Sequence, residues 1–239
     1  MGHKSDVKLI IDGKRGDGRA LNELREIDMK IGVISRATGS ALVRFGNTVA
    51  IAAVYGPREL FPRFLQQSQS GILRVRYNMA PFSVDDRKSP GPDRRSVEIS
   101  KVIRSSLEDV IFLEEFPKVT IDVFVEILQA DGSTRVTAIN AASLALASAG
   151  IPMNDLVSAC SVGKIDGELV VDLNGTEDNF GETDMALAFQ GGRKNVTLLQ
   201  MDGVLTQQEF QKLLNFAKEN CEKIYELQKK VLKETYKRS

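Results

Sequence analysis

Three polar clusters in this chain have the residue types and spacing for chemistry on phosphate. The first is the turn Asp131, Gly132, Ser133, Thr134, followed by Arg135 and an Ala-rich run that stops at Gly150 and Pro152. The run reads as a helix, so small hydroxyl donors, free backbone N–H groups and a guanidinium converge at a helix N-terminus, which binds anions such as phosphate. A turn that only caps a core helix would use the same residues, and the local sequence leaves both readings open. The second cluster is Arg94 and Arg95 at the head of another predicted helix. The macrodipole disfavours cations there by ~0.3–1 kcal/mol, a cost that a nearby anion would offset and that solvated arginines would simply bear. The third is Glu177, Asp178, Glu182 and Asp184, crowded around Gly181 in the segment from Asn174 to Asp184. Four carboxylates so close repel unless a cation or a raised pKa relieves them. A solvated acidic turn is the alternative; it weakens if Asp184 opens the apolar strand MALAF, because a carboxylate beside buried positions needs a partner.

Together the clusters suit phosphoryl chemistry. Arginines and backbone dipoles would hold phosphate oxygens, while the carboxylates would hold Mg²⁺ or Mn²⁺ and could protonate a leaving oxygen. His3 is the only histidine, and Cys160 and Cys221 are the only cysteines, without metal-ligand spacing. A zinc site and a Ser/His triad are therefore poorly supported, and a carboxylic acid is the natural general acid.

The elements that must position these groups follow from periodicity. Residues 1–26 read as a short strand or arm and an exposed Gly, Asp and Arg loop, with Arg19 and Arg25 solvated or facing a partner. Two apolar runs flank Gly46 and Asn47 as a hairpin. Gly56 to Gly71 is a long polar loop carrying Arg58 and Arg63, and loops of that length in compact domains are often functional. A strand follows with Arg74 and Arg76 on one face and Leu73, Val75 and Tyr77 on the other. Ile99, Val102, Ile103, Val110 and Ile111 share one face of the helix that Arg94 and Arg95 begin. Val119 to Leu128 alternates as a strand and runs into the Ser133 turn, the carboxyl end of a strand where α/β sheets tend to bind ligands. Further hairpins turn at Asp166–Gly167 and around Gly191 to Asn195. Thr206 and Glu209 cap a long C-terminal helix over about 206–236, with an apolar stripe of Phe210, Leu213, Ala217, Ile224, Leu227 and Val231 and Cys221 in the core. A series of hairpin, sheet and helix occurs once before residue 115 and again after it.

Size and composition fit this picture. A chain of 239 residues, 42% hydrophobic and 27% charged, can bury a core as one large domain or two intimately packed halves. Lys plus Arg and Asp plus Glu number 32 each, so only local charge can point to nucleic acid. Basic residues gather between Arg58 and Arg104, acids around Glu108 to Glu115 and Glu177 to Asp184. No apolar run approaches the ~20 residues of a membrane span, and no signal peptide is apparent. The expectation is a cytoplasmic protein that meets no membrane.

LQADGSTR with its Ala-rich helix, PDRRSVEISKVIRSSLE, NMAPFS and EDNFGETDMALAF resemble the RNase PH family of phosphorolytic exoribonucleases, and within it the catalytic-type subunits of archaeal exosomes, a similarity that runs from about Leu9 to Tyr236 with the motifs in the right order. The resemblance implies an α/β (α+β) RNase PH-like fold of two similar halves of mixed sheet and helices, here one domain over residues 1–239. It implies attack by inorganic phosphate on the last phosphodiester of an RNA 3′ end, releasing nucleoside diphosphates, with RNA tailing as the reverse reaction. Ser133, Thr134 and Arg135 match the phosphate-site motif, with Ser133 where the family has glycine, a departure that Gly132 next to it could offset. Arg95, with Arg94 beside it, matches the grip on RNA phosphates, and Arg63 matches an arginine lining the neck through which single-stranded RNA enters. Asp178 and Asp184 match the metal and acid pair, their individual roles unassigned. The implied assembly is a hexameric ring, three copies alternating with a related inactive subunit, capped by RNA-binding proteins. Two other readings are a non-catalytic ring subunit, which the retained Asp178 and Asp184 disfavour, and a stand-alone tRNA-trimming RNase PH, which EDNFGETD and the FPRFL loop disfavour.

Overall fold

The computed structural model describes residues 8–11, 13–191 and 195–237. His3 and the middle of the turn expected around Gly191 to Asn195 lie outside them. A two-stranded ribbon of β1 (Ile10–Ile11) and β2 (Lys14–Arg15) precedes the body. β3 (Ile27–Ile31), β4 (Gly39–Phe45), β5 (Thr48–Glu59), β6 (Ile72–Met79) and, after α1 (Arg94–Glu108), β7 (Val119–Gln129) form a five-stranded sheet in the order β3-β4-β5-β7-β6. All neighbours are antiparallel except β6 and β7. A parallel pair needs a crossover, and α1 supplies it.

α2 (Thr134–Ser148) follows β7 directly and is buried at every residue from Val136 to Leu146. Its alanines explain this: small side chains on all sides let it lie between the first sheet and a second one. That second sheet holds β8 (Val157–Ile165), β9 (Glu168–Val171), then after the short α3 (Gly175–Phe180) β10 (Thr183–Gln190) and β11 (Asn195–Gly203), all antiparallel in the order β11-β10-β8-β9. α4 (Gln207–Tyr236), about 45 Å long at helical rise, packs on β8, β3 and β9. One hydrophobic core runs from β3 through α2 to α4.

The hairpins at Gly46–Asn47 and Asp166–Gly167 and the Thr206–Glu209 capping box form as expected. Five expectations need correcting. The seam between halves lies after α2 and not near residue 115, because β7 pairs with both β5 and β6. α1 ends at Glu108; Val110 and Ile111 are buried beyond it, with Ile111 bridging to Met153. The α4 stripe leaves Leu227 37% exposed and buries the polar Asn220 and Gln228 instead, with Cys221 in the core as expected. Arg25 is not solvated: it is buried in a bidentate pair with Asp172, Nε to Oδ2 at 3.0 Å and an NH2 nitrogen to Oδ1 at 2.7 Å. Gly46 makes room for it, since a Cβ there would lie 2.6 Å from Arg25 Cδ. The carboxylate segment before the strand is not a loop throughout: Gly175–Phe180 form a helical turn and a half, α3.

Candidate active site

The turn between β7 and α2 is fastened on three sides. The Asp131 N–H donates to Thr48 Oγ1 at 3.0 Å, the Thr48 hydroxyl donates to the Gly132 carbonyl at 2.8 Å, and Asp131 Oδ1 accepts the Gly175 N–H at 2.9 Å. Gly132 has a φ of 69°, and a Cβ there would sit 2.5 Å from the carbonyl carbon of Asn174. The turn is thus pressed against the start of α3. Ser133 also has a left-handed φ, 55°, a conformation that favours glycine. Its hydroxyl is spent inside the protein, 2.6 Å from both Ser161 Oγ and the Leu173 carbonyl. Ser133 can therefore offer an anion its backbone N–H, while its side chain fastens the turn.

Thr134 and Arg135 open α2. Thr134 is buried, and the Nε of Arg135 is buried without a hydrogen-bond partner among the described residues. Arg94 and Arg95 are exposed at the head of α1. The dipole cost there is offset by Asp93, whose carboxylate caps the helix by accepting the Ser96 N–H at 2.6 Å and pairs with Lys88 at 3.1 Å. The Ser96 N–H holds Asp93 below the usual carboxylate range, with burial opposing and Lys88 helping.

The four acids separate into two kinds. Glu177 turns inward as the partner of Arg15, whose Nε donates to Oε1 at 2.7 Å, and closes a capping box with Asn174. Glu182 pairs with Lys164 at 3.4 Å and accepts the Gly167 N–H at 2.7 Å. Asp178 on α3 and Asp184 on β10 meet each other. Burial raises both, and the nearby Asp178 helps push Asp184 up to about 6, against the pull of Arg135 and Arg95. The structure therefore brings Arg95, Arg135, Thr134, Asp178 and Asp184 to one place. Of the carboxyl pair, Asp184 is the better poised to hold a proton near neutral pH.

Two participants escaped the sequence. Asp202 lies opposite Asp184 in the β10–β11 register and adds negative charge to it; knowing that pairing would have found it. Tyr77 looked like one more apolar residue of β6, yet it is buried facing Thr134 under the fields of Arg95 and Arg135. Only its hydroxyl distinguishes it from phenylalanine.

Two neighbouring carboxylates with raised pKa values are what a divalent cation relieves. Among the described residues no group of three or more acidic, His or Cys side chains could hold a metal. Two carboxylates that leave the remaining positions to phosphate oxygens and water are an oxygen donor set of the kind that Mg²⁺ or Mn²⁺ takes.

Arg63 stands apart. It is exposed, 3.6 Å from Glu59, in a loop that also exposes Phe61 and Phe64. That loop is tied to Lys118 and Leu113, next to the start of β7, whereas the phosphate turn follows its end. The 11 residues of β7 separate the two ends by roughly 33 Å.

Models of a 3′ exoribonuclease family match the chain, domain 1 over residues 23–152 and domain 2 over residues 155–220. Exosome complex component Rrp41 of Thermococcus gammatolerans is 55% identical over 237 residues, 99% of this chain and 95% of that one. The protein of the same name from Pyrococcus furiosus is 58% identical over 231 residues, 96% and 92% of the two chains. Among solved structures, rice (Oryza sativa) Rrp46 superposes with a TM-score of 0.82 at 25% identity, covering 92% of this chain and all of the other. An Archaeoglobus fulgidus exosome with RNA bound to the active site shares the fold, with a TM-score of 0.79 at 24% identity over 90% and 92% of the chains.

Proposed function

The chain belongs to the RNase PH family of 3′ exoribonucleases, and on that premise we propose that it is the phosphate-dependent catalytic subunit of an archaeal exosome, shortening single-stranded RNA from its 3′ end. The observation that carries this reading is the Asp178–Asp184 pair, with raised pKa values, facing Arg95 from the head of α1 and Arg135 from the head of α2. The attacking inorganic phosphate sits at the α2 N-terminus on backbone N–H groups, Thr134 and Arg135, with Ser133 giving only its N–H. Arg95, flanked by Arg94, grips the phosphates of the RNA end. A phosphate oxygen forms a bond to the phosphorus of the terminal phosphodiester, the bond from that phosphorus to the 3′ oxygen breaks, and Asp184 gives its proton to that oxygen. The products are a nucleoside diphosphate and an RNA one residue shorter; run backwards, the same steps add a tail. Asp178, joined by the unprotonated oxygen of Asp184, would hold Mg²⁺ or Mn²⁺, which when bound would neutralise charge on the phosphate oxygens.

The working assembly in this reading is a cytoplasmic hexameric ring, a trimer of heterodimers with a related inactive subunit, capped by RNA-binding proteins. The distance of Arg63 from the charged site supports placing its loop at the entrance. Exposed Phe61 and Phe64 beside an arginine suit single strands, which bind by stacking and backbone charge. Relatives named as exosome components support the assembly. The test is incubation of RNA with Mg²⁺, with and without phosphate and with and without the partner subunit. Nucleoside diphosphates released only with phosphate are expected; monophosphates released without it would mean hydrolysis and overturn the mechanism.

A further inference from the structure

Tyr77 lies on β6 with its backbone N–H held by Ser100 Oγ at 2.8 Å, and its ring is buried to 2% exposure. Its hydroxyl is buried and makes no hydrogen bond of good geometry among the described residues. A phenylalanine would fill the same space without leaving a polar atom short of a partner. The side chain within reach is that of Thr134, itself buried at 7% exposure, with Arg95, Arg135 and Asp93 as the charged groups around the phenol. The adjacent Arg135 carries a second buried and unpartnered atom, Nε. Two polar atoms without partners thus flank one threonine at the head of α2.

A threonine hydroxyl has one proton to donate and two lone pairs to accept with. A phosphate oxygen needs the proton. We propose that Tyr77 is a positioning residue for the attacking phosphate: its hydroxyl donates to Thr134 Oγ1 and so leaves the Thr134 proton to point at the anion. The inference rests on the phosphorolytic reading above. Burial is the largest influence on the phenol and raises its pKa, so Tyr77 keeps its proton and is able to donate it in a hydrogen bond to Thr134.

The test is Tyr77→Phe in the full chain, assayed together with the related partner subunit. Wild-type protein is assayed first: if it releases no diphosphate with phosphate present, the phosphorolytic reading fails on its own account. Given phosphorolysis, Tyr77→Phe should raise the KM for phosphate about three- to ten-fold, the range of one hydrogen bond. The KM for RNA should stay within about two-fold of wild type, the melting temperature should not fall, and the rise in melting temperature on adding phosphate should shrink. In a Thr134→Ala background the same change should add nothing. An equal effect on both substrates, a lowered melting temperature, or an undiminished effect without the Thr134 hydroxyl would each overturn the proposal.

Discussion

Two regions of this protein hold nearly the same charges and use them in opposite ways. Beneath α3, Arg15 and Arg25 face Glu177 and Asp172, all four buried. Arg19 adds longer contacts to both carboxylates, 3.6 Å to Asp172 and 3.9 Å to Glu177; although burial works to lower it, the hydrogen bonds to Asp172 raise the Arg25 pKa. At the other face of the same short helix, Asp178 and Asp184 are left to each other, and Arg95 and Arg135 are left open. Neighbouring residues Glu177 and Asp178 thus have opposite fates. Paired charges hold the turn and α3 in place, whereas unpaired charges keep an uncompensated field that a phosphate, a cation and an RNA end together would neutralise. The site is affordable because the scaffold next to it is satisfied.

Breaking the paired region should have the largest effect on the fold. Arg25→Ala leaves the buried Asp172 the longer contact to Arg19, 3.6 Å, in place of its bidentate pair, and should cost about 3 kcal/mol, lowering the melting temperature by on the order of 10 °C for a chain of this size. Calorimetry checks it, and a shift of a degree or two would mean that the pair does not hold the junction.

Breaking the unpaired region should do the reverse. The Asp184 carboxyl is raised from 3.8 to about 6 by burial and by Asp178, so the folded state binds the extra proton and ionisation costs it stability. That penalty is absent below about pH 4, grows as pH rises to about 6, and is complete above it. Asp184→Asn should therefore stabilise the metal-free protein above pH 6 by roughly 1–3 kcal/mol and have little effect at pH 4. Urea unfolding at the two pH values reads this out; an equal effect at both would break the contrast.

Arg63 belongs to neither region, and its effect should be the smallest. Arg63→Glu should weaken degradation of long RNA a few-fold more than that of a dinucleotide, because a single exposed charge contributes about 1 kcal/mol or less. Equal losses at both lengths would remove the loop from the RNA path.

Much of this contrast was legible in the chain. β7, the turn and α2 follow from alternation giving way to an alanine run, and Thr134, Arg135, Arg95, Asp178 and Asp184 were all singled out beforehand. The paired half was not legible. Arg15 and Arg25 meet partners about 150 residues away, and nothing local marks an arginine as buried. Glu177 and Asp178 look alike in sequence, and only the phase of a six-residue helix sends one inward and the other to the site. Asp202 depends on strand register, and the left-handed backbone at Ser133 shows why a glycine was expected there.

The central claim is that Asp184 supplies the proton while the arginines and the α2 turn hold the phosphates. Release of nucleoside diphosphate by Asp184→Asn, measured with saturating phosphate alongside RNA binding, tests it most directly. The account predicts that release falls by about 10²–10⁴-fold, the usual contribution of a general acid, with RNA binding unchanged. Release near the wild-type rate would contradict it.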